Sequence, residues 1–242
     1  EKSVDDLRQA QRRRLRYIEF LLLFQGQCGR SDLVERFSLS EPAATKDFSE
    51  YSDRLPGNLG YDVRAKKYVI GNSFKAAFDH SADAGLRYLS GMQASIGEGS
   101  QRERVSSGYR PELRKPLQCS QVAPITRAIA QRSAIECVYV SMSGGAKSRT
   151  LSPHSIIFDG NRWHFRCFEH TKKLYQDYNF GRVSKVNSSS IDYINAEDDL
   201  LWNKELTVKL APHPKHKNPE AIAKEFQMRS GVSSIKLRAV LI

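Results

Sequence analysis

Apolar residues in the first third of the chain recur with helical spacing in three successive segments. The pattern predicts a first helix over residues 8–24, followed by glycines that end it. Ser31 is placed to cap a short second helix whose apolar stripe ends at Phe37, and Ser40 caps a third helix after a tight turn. These signals predict a small domain built on three short helices.

The third helix separates its apolar and polar residues most clearly. Ala44, Phe48, Tyr51 and Leu55 form one inward stripe. The opposite side carries small, polar and basic side chains, which can enter a major groove and reach base edges or phosphates. We predict that this face contacts DNA through Pro42, Ala43, Thr45, Lys46 and Ser49.

Two short β segments follow the third helix, at residues 60–64 and Lys67–Ile70. They predict a hairpin with a basic tip, which is the wing expected beside a helix-turn-helix. We predict further DNA contacts from Arg64, Lys66 and Lys67 on the wing and from Arg13 on the first helix. The alternative is a helical subdomain whose polar face is merely solvated.

Charge supports DNA binding only weakly. The chain carries a net charge of +11 at neutral pH, which permits a nucleic-acid partner. Residues 1–73 hold 13 basic and 11 acidic residues, so the predicted DNA-binding segment contributes only +2. The order of the helices and the wing therefore carries the prediction.

Other features narrow the class of protein. The 4 cysteines are scattered without a C-x-x-C pair, which predicts reduced thiols, and no short spacing of His and Cys favours a metal. The longest apolar run is too short for a membrane span, and the first residues do not resemble a signal peptide, so we expect a cytoplasmic protein. No nucleophile elbow, Walker loop or zinc-protease motif occurs in the sequence, so we expect neither catalysis nor a cofactor.

The pattern changes after the wing. Residues 74–80 and 83–96 are predicted to be helices of a connector, and the Gly/Ser/Arg-rich residues 97–116 are predicted to be a linker. A helix at 122–132 then precedes residues with period-two alternation. This alternation predicts a small closed β-barrel, whose strands are Ile135–Ser141, 149–158, 162–168 and 174–183.

One face of the predicted barrel collects hydrogen-bond donors and positive charge. Arg166 and Arg182 bring two guanidinium groups together with no acidic residue nearby in sequence, which favours an anionic ligand. A carboxylate from elsewhere in the chain is the alternative partner. We predict ligand contacts from Tyr139, which could stack on a base, and from Ser141, Ser152, His154, His164, Arg166 and Arg182.

These motifs resemble a known family. Trp163-His164-Phe165 after Asp159-Gly160, followed by Phe180-Gly181-Arg182-Val183, resembles the WYL domain, although His and Phe replace the Tyr and Leu of its signature. Residues 40–48 resemble the recognition helix of DeoR-type winged helices, with Thr45 in place of an Arg. The resemblance to WYL-domain winged-helix transcriptional regulators, especially repressors that accompany phage-defence operons, implies control by a nucleotide or short single-stranded nucleic acid.

We therefore expect an α+β fold. It comprises a winged helix-turn-helix DNA-binding domain (1–73), a helical connector and linker (74–120), an Sm-like barrel or WYL domain that senses the ligand (121–195) and the start of an α/β extension (196–242). In the extension we expect a strand at 208–210, a helix at 219–228 and a strand at 234–242, part of an element that helps dimerise and could be incomplete here. The family implies a homodimer on an inverted-repeat operator. The alternatives are a WYL-type activator that responds to DNA damage and a nucleic-acid-binding adaptor without operator specificity.

Overall fold

The structure is a computed structural model that describes residues 4–91, 115–213, 215, 217–225, 228 and 233–238. The chain divides into two compact units, Glu1–Ile194 and Asn195–Ile242. Within the described residues, no helix is long and apolar enough to cross a membrane.

Three helices and a three-stranded antiparallel sheet form the N-terminal part of the first unit. In chain order they are α1 (Gln9–Gln25), β1 (Gln27–Cys28), α2 (Arg30–Phe37), α3 (Glu41–Arg54), β2 (Leu59–Asp62) and β3 (Lys67–Ile70), and a 3-10 turn, Val4–Asp6, precedes them. The strand order is β1-β3-β2, so the predicted wing hairpin gains a third strand from the α1–α2 connection.

The beginning of α2 differs from the prediction. Gly29, and not Ser31, is the residue before the helix, and the carboxylate of Asp32 accepts the Gly29 backbone N–H at 2.6 Å. An acidic side chain in the first turn therefore satisfies a free N–H, which allows the helix to start earlier than the serine suggested.

The prediction of a connector helix over residues 74–80 is wrong. Residues 74–80 form neither helix nor strand, and the backbone N–H groups of Ala77 and Phe78 are bonded to the buried carboxylate of Glu19. A short helix α4 (Ala82–Leu89) follows, and the hydroxyl of Ser81 caps it. The helix predicted over 83–96 ends earlier, because Ser90 and Gly91 lie outside α4. Residues 92–96 and the linker as far as residue 114 lie outside the described residues.

A helix and a five-stranded antiparallel sheet complete the first unit. They are α5 (Cys119–Gln131), β4 (Ile135–Ser141), β5 (Gly145–Phe158), β6 (Trp163–Glu169), β7 (Leu174–Asn179) and β8 (Val183–Ser188), with strand order β7-β6-β5-β4-β8. The strand predicted over 174–183 is interrupted by a 3-10 turn, Phe180–Arg182, where the Asn179 side chain accepts the Gly181 N–H at 2.8 Å. The turn redirects the chain into β8, which pairs with β4.

The sequence predicted a closed barrel, but among the described residues backbone hydrogen bonds do not close the sheet. Its two edge strands, β7 and β8, are joined through the 3-10 turn, and no ladder connects them among the described residues. Both edges converge on that turn, whose Phe180 is fully buried in the sheet's core.

The helices α1 and α5 join the two halves of this unit. The buried apolar side chains of the winged helix and of the sheet belong to one continuous core. At the α1–α5 contact, a guanidinium N–H of Arg127 donates to the carbonyl of Leu23 at 2.7 Å. The N-terminal helices and the five-stranded sheet are therefore joined through α5.

The second unit contains a 3-10 turn, Ala196–Asp198, and three further elements, β9 (Glu205–Leu210), α6 (Pro219–Glu225) and β10 (Ser233–Arg238). The two strands pair in antiparallel register, Ser233 opposite Leu210. The predicted strand and helix order is confirmed, while residues 239–242 lie outside the described residues.

Candidate DNA interface and ligand site

The N-terminal half of α3 presents the face predicted to contact DNA. The Ser40 hydroxyl accepts the Ala43 N–H at 3.4 Å, which orders the first turn. The buried side of the helix carries Ala44, Phe48 and Tyr51, as the apolar stripe predicted. On the opposite side, Pro42, Thr45, Lys46 and Ser49 are exposed and Ala43 is half-buried.

A buried ion pair that the sequence analysis missed fixes this helix to α1. Asp47 is only 2 % exposed. Its carboxylate accepts from Nε of Arg14 at 2.5 Å and from Nη2 at 3.0 Å. The available signal was its position, three residues after Ala44 and four before Tyr51, which places it on the inward side of α3.

The wing is held against the same helix. The ring of Tyr68 on β3 stacks on Phe48 of α3 at 3.9 Å between centroids. At the tip, the Asp62 carboxylate accepts the backbone N–H groups of Arg64 and Ala65 at 2.8 and 3.0 Å. The predicted basic contacts Arg64, Lys66 and Lys67 are all exposed there, and Arg13 is exposed on the first half of α1.

On the sheet, the structure brings two of the predicted ligand residues onto one face of β6. Across the β6–β7 ladder, His164 lies opposite Asn179 and Arg166 lies opposite Asp177. A guanidinium N–H of Arg166 donates to Asp177 at 3.1 Å, with the two side chains 3 % and 6 % exposed. The alternative left open by the sequence is therefore realised, because a carboxylate already balances Arg166.

His164 occupies a mixed electrostatic environment beside this pair. Its Nε2 lies 3.3 Å from the amide nitrogen of Asn179, and its buried Nδ1 has no hydrogen-bond partner among the described residues. Burial lowers the pKa of His164, against the opposing effect of the carboxylates of Asp159 and Asp177. The guanidinium groups of Arg162 and Arg182 add to the lowering of this pKa. The imidazole is therefore subject to the charges of both carboxylates and guanidinium groups, and its Nδ1 lies 3.8 Å from Oδ2 of Asp159.

Two other predicted ligand residues, Tyr139 and Ser152, have partners inside the protein instead. Tyr139 points into the core, where its ring contacts Tyr178 edge-on at 4.6 Å and its hydroxyl accepts the Asn179 N–H. The fully buried Ser152 hydroxyl lies 2.8 Å from Nε2 of His170 and accepts the Ile194 N–H. The prediction that Tyr139 is available to stack on a base is therefore wrong, because alternation identifies faces but not which face is interior.

A β-bulge changes the register of the strand that carries His154. The β5–β6 pairing shifts between Pro153 and Ser155, so Ser155 lies opposite Arg166. His154 lies within the bulge, with its Nδ1 2.8 Å from the Ser155 hydroxyl. The shared face of Ser152 and His154 that simple alternation predicted is therefore not kept.

The remaining two predicted ligand residues are Ser141, at the end of a strand, and Arg182, in a 3-10 turn. Ser141 ends β4, and its hydroxyl accepts the Gly144 N–H at 2.9 Å within the hairpin turn. Arg182 is half-buried in the 3-10 turn and not on a strand, contrary to the prediction. The candidate ligand site therefore comprises His164 and Arg166, which lie opposite Asn179 and Asp177, and Arg162 and Arg182, whose charges act on His164.

Comparison with known proteins defines the class first. Residues 10–94 match the winged helix-turn-helix domain of BrxR transcriptional regulators, and residues 120–188 match the WYL domain. The combination defines a winged-helix transcriptional regulator with a WYL domain, which confirms the resemblance noted from the motifs.

Curated relatives then identify the family. A protein of Pseudomonas aeruginosa named DNA-binding transcriptional repressor CapW is 35% identical over 252 residues, which covers 100% of this chain and 83% of that protein. Proteins of the same name in Escherichia coli (strain KTE188) and Stenotrophomonas maltophilia are 35% and 30% identical, covering 88% and 98% of this chain and 73% and 82% of theirs. The chain belongs to the CapW family of DNA-binding transcriptional repressors.

Proposed function

We propose that this protein represses a phage-defence operon by binding a duplex operator as a homodimer, and that an anionic ligand on the WYL sheet controls the binding. The observation that carries the DNA-binding part is the exposed face of α3, supported on its other side by the Arg14–Asp47 ion pair. A helix whose position is fixed from behind can present Lys46 and Ser49 to a major groove with little reorganisation.

Footprinting on the DNA upstream of the protein's own gene tests this proposal. We expect protection of a defined inverted repeat, and Lys46→Ala to weaken binding to it by about 1–3 kcal/mol because a base contact is lost. Lys147→Ala is the matched control, since Lys147 is exposed on the sheet, away from the winged helix. Unchanged operator affinity of a folded Lys46→Ala, Ser49→Ala double variant would place the reading surface elsewhere.

The homodimer is tested on the same DNA. Two winged helices related by two-fold symmetry bind two half-sites, so deleting one half-site should weaken binding far more than mutating the spacer. A monomeric mass at micromolar concentration, combined with indifference to half-site deletion, would contradict the dimer.

The ligand part of the proposal rests on Arg162 and Arg182, whose positive charges act on His164 together with the negative charges of Asp159 and Asp177. A short single-stranded DNA of mixed sequence is the probe, and its binding to the wild type should weaken about tenfold in Arg182→Ala, the usual effect of losing one charge-assisted hydrogen bond. Arg166→Ala is a poor choice for the same test, because it would leave the buried Asp177 without its guanidinium. Equal binding by Arg182→Ala, Lys147→Ala and the wild type would remove the ligand site from this face.

A further inference from the structure

A fully buried carboxylate lies at the centre of the winged helix. Glu19, on α1, has no exposed surface. Its oxygens accept the Tyr51 hydroxyl at 3.1 Å, the Ala77 N–H at 3.0 Å and the Phe78 N–H at 2.8 Å, and Nε2 of His80 lies 3.1 Å away. Because a buried charge is costly unless it is fully hydrogen-bonded, this arrangement tolerates little displacement of any donor.

One of these donors belongs to the helix predicted to read the DNA. Tyr51 lies on α3, about one and a half turns after Lys46 and on the opposite side of the helix. Burial, and to a lesser degree Glu19, raises the pKa of Tyr51, so its hydroxyl keeps the proton that it donates. The Asn58 side chain also donates to this hydroxyl, at 3.2 Å.

The other donors belong to residues 75–80, which we call the strap. This segment lies where the sequence predicted a helix. Asn58 holds its first residue, since the Asn58 side chain accepts the Lys75 N–H and donates to the Lys75 carbonyl, both at 2.8 Å. Glu19 holds its middle and end through Ala77, Phe78 and His80. The strap and α3 therefore share the same two side chains as anchors.

The far end of the strap is attached to the WYL domain. The Cys119 thiol, in the first turn of α5, donates to the His80 carbonyl at 3.1 Å. Three residues further on, the Asp83 carboxylate of α4 accepts the indole N–H of Trp163 at 2.7 Å. Trp163 begins β6, the strand that also carries His164 and Arg166 of the candidate ligand site.

We propose that Glu19 is a positioning residue for DNA recognition, which fixes the orientation of α3 through Tyr51 and couples it, through the strap, to Trp163 of the WYL sheet. The coupling rests on the proposed function, because it takes α3 as the helix that reads the DNA, but the coupling between Trp163 and DNA needs no ligand. The route lies within the described part of the first unit and does not use the linker at 97–116.

The chemistry of an isosteric variant shows what this role requires. An ionised carboxylate only accepts hydrogen bonds, whereas an amide has one accepting oxygen and one donating nitrogen. In Glu19→Gln the volume is unchanged, but the amide nitrogen donates where a carboxylate oxygen accepted. Either the strap moves away from this N–H, or the Tyr51 hydroxyl turns to accept it and no longer donates to residue 19.

The first experiment measures DNA binding. Glu19→Gln and Tyr51→Phe in the full chain should each weaken binding to the protected upstream DNA about tenfold, with a folded protein by circular dichroism and denaturant titration. Their double variant should be no weaker than Glu19→Gln alone, because both remove one link. Glu35→Gln, the same change at an exposed position on α2, is the control and should bind as the wild type. Wild-type affinity of folded Glu19→Gln and Tyr51→Phe would overturn the proposal.

The second experiment detects the coupling without a ligand. The chain has 2 tryptophans, Trp163 and Trp202, so Trp202→Phe leaves the indole of Trp163 as the only reporter. Binding of upstream DNA should change its emission, since coupling between two sites is reciprocal, and Glu19→Gln should abolish this change at saturating DNA. An identical emission change in Glu19→Gln, or none in either protein, would refute the strap as the route. Either result leaves the ligand proposal to be judged by the oligonucleotide titration alone.

Discussion

The ion pair between α1 and α3 makes a quantitative prediction about the recognition helix. Arg14→Gln removes a guanidinium that donates two hydrogen bonds to Asp47, at 2.5 and 3.0 Å. The carboxylate that remains is buried, whereas Arg14 itself lies nearer the solvent, with side-chain exposures of 3% and 22%. The variant therefore leaves a charge without its partner in a poorly solvated position.

The size of the effect follows from that burial. Removing one partner of a fully buried pair costs about 3–5 kcal/mol, and a single hydrogen bond to a charged group contributes about 1.5–3 kcal/mol. Because Arg14 is partly exposed, water can enter and solvate Asp47 in the variant. We expect the free energy of unfolding to fall by about 2–3 kcal/mol in Arg14→Gln, and less in the Arg14→Gln, Asp47→Asn double variant because no charge is then left unpaired.

Denaturant unfolding of the wild type, both single variants and the double variant measures the coupling free energy of the pair. Arg54→Gln is the control, since the pair of Arg54 with Glu50 lies within α3 and does not join this helix to α1. Operator affinity should fall in Arg14→Gln even without denaturant, where every variant is folded. Additive single and double variants, with unchanged DNA binding, would show that the Arg14–Asp47 pair does not orient α3.

Two further predictions concern stability. Gly85→Ala should destabilise the protein by about 1–3 kcal/mol, because the added Cβ would lie 2.7 Å from Cζ of Phe24; a denaturant midpoint equal to that of the wild type would contradict the tight α1–α4 contact. Burial lowers the pKa of both His164 and His170, so the unfolded chain takes up protons more readily and the free energy of unfolding should decrease as the pH falls below about 6.5. His164→Asn should make the decrease between about pH 7.5 and 5.5 smaller without removing it, since His170 remains. Urea titrations at these pH values measure the free energy of unfolding. The same decrease in His164→Asn as in the wild type would contradict a lowered pKa of His164 in the folded protein.

Local signals were sufficient for the DNA-binding half of the fold. The three helices, the Ser40 cap and the strand Lys67–Ile70 follow from periodicity and capping, which depend on residues close together in sequence. The exposed side of α3 follows from the same period. The WYL motif around Trp163 likewise placed the second domain, because its signature is local.

Tertiary structure decided which polar residues form hydrogen bonds and ion pairs inside the protein and which remain available to a ligand. Residues 74–80 have a helical pattern, but the carboxylate of Glu19, 58 positions before Ala77, accepts backbone N–H groups of this segment, and no helix forms there. The nearest acidic residue in sequence to Arg166 is Glu169, yet the β6–β7 register places Asp177 across from it. Alternation along β4 and β5 could not show that Tyr139 and Ser152 face inward, nor that a bulge displaces His154. In each case, the deciding contact joins residues that are distant along the chain, and no local pattern encodes it.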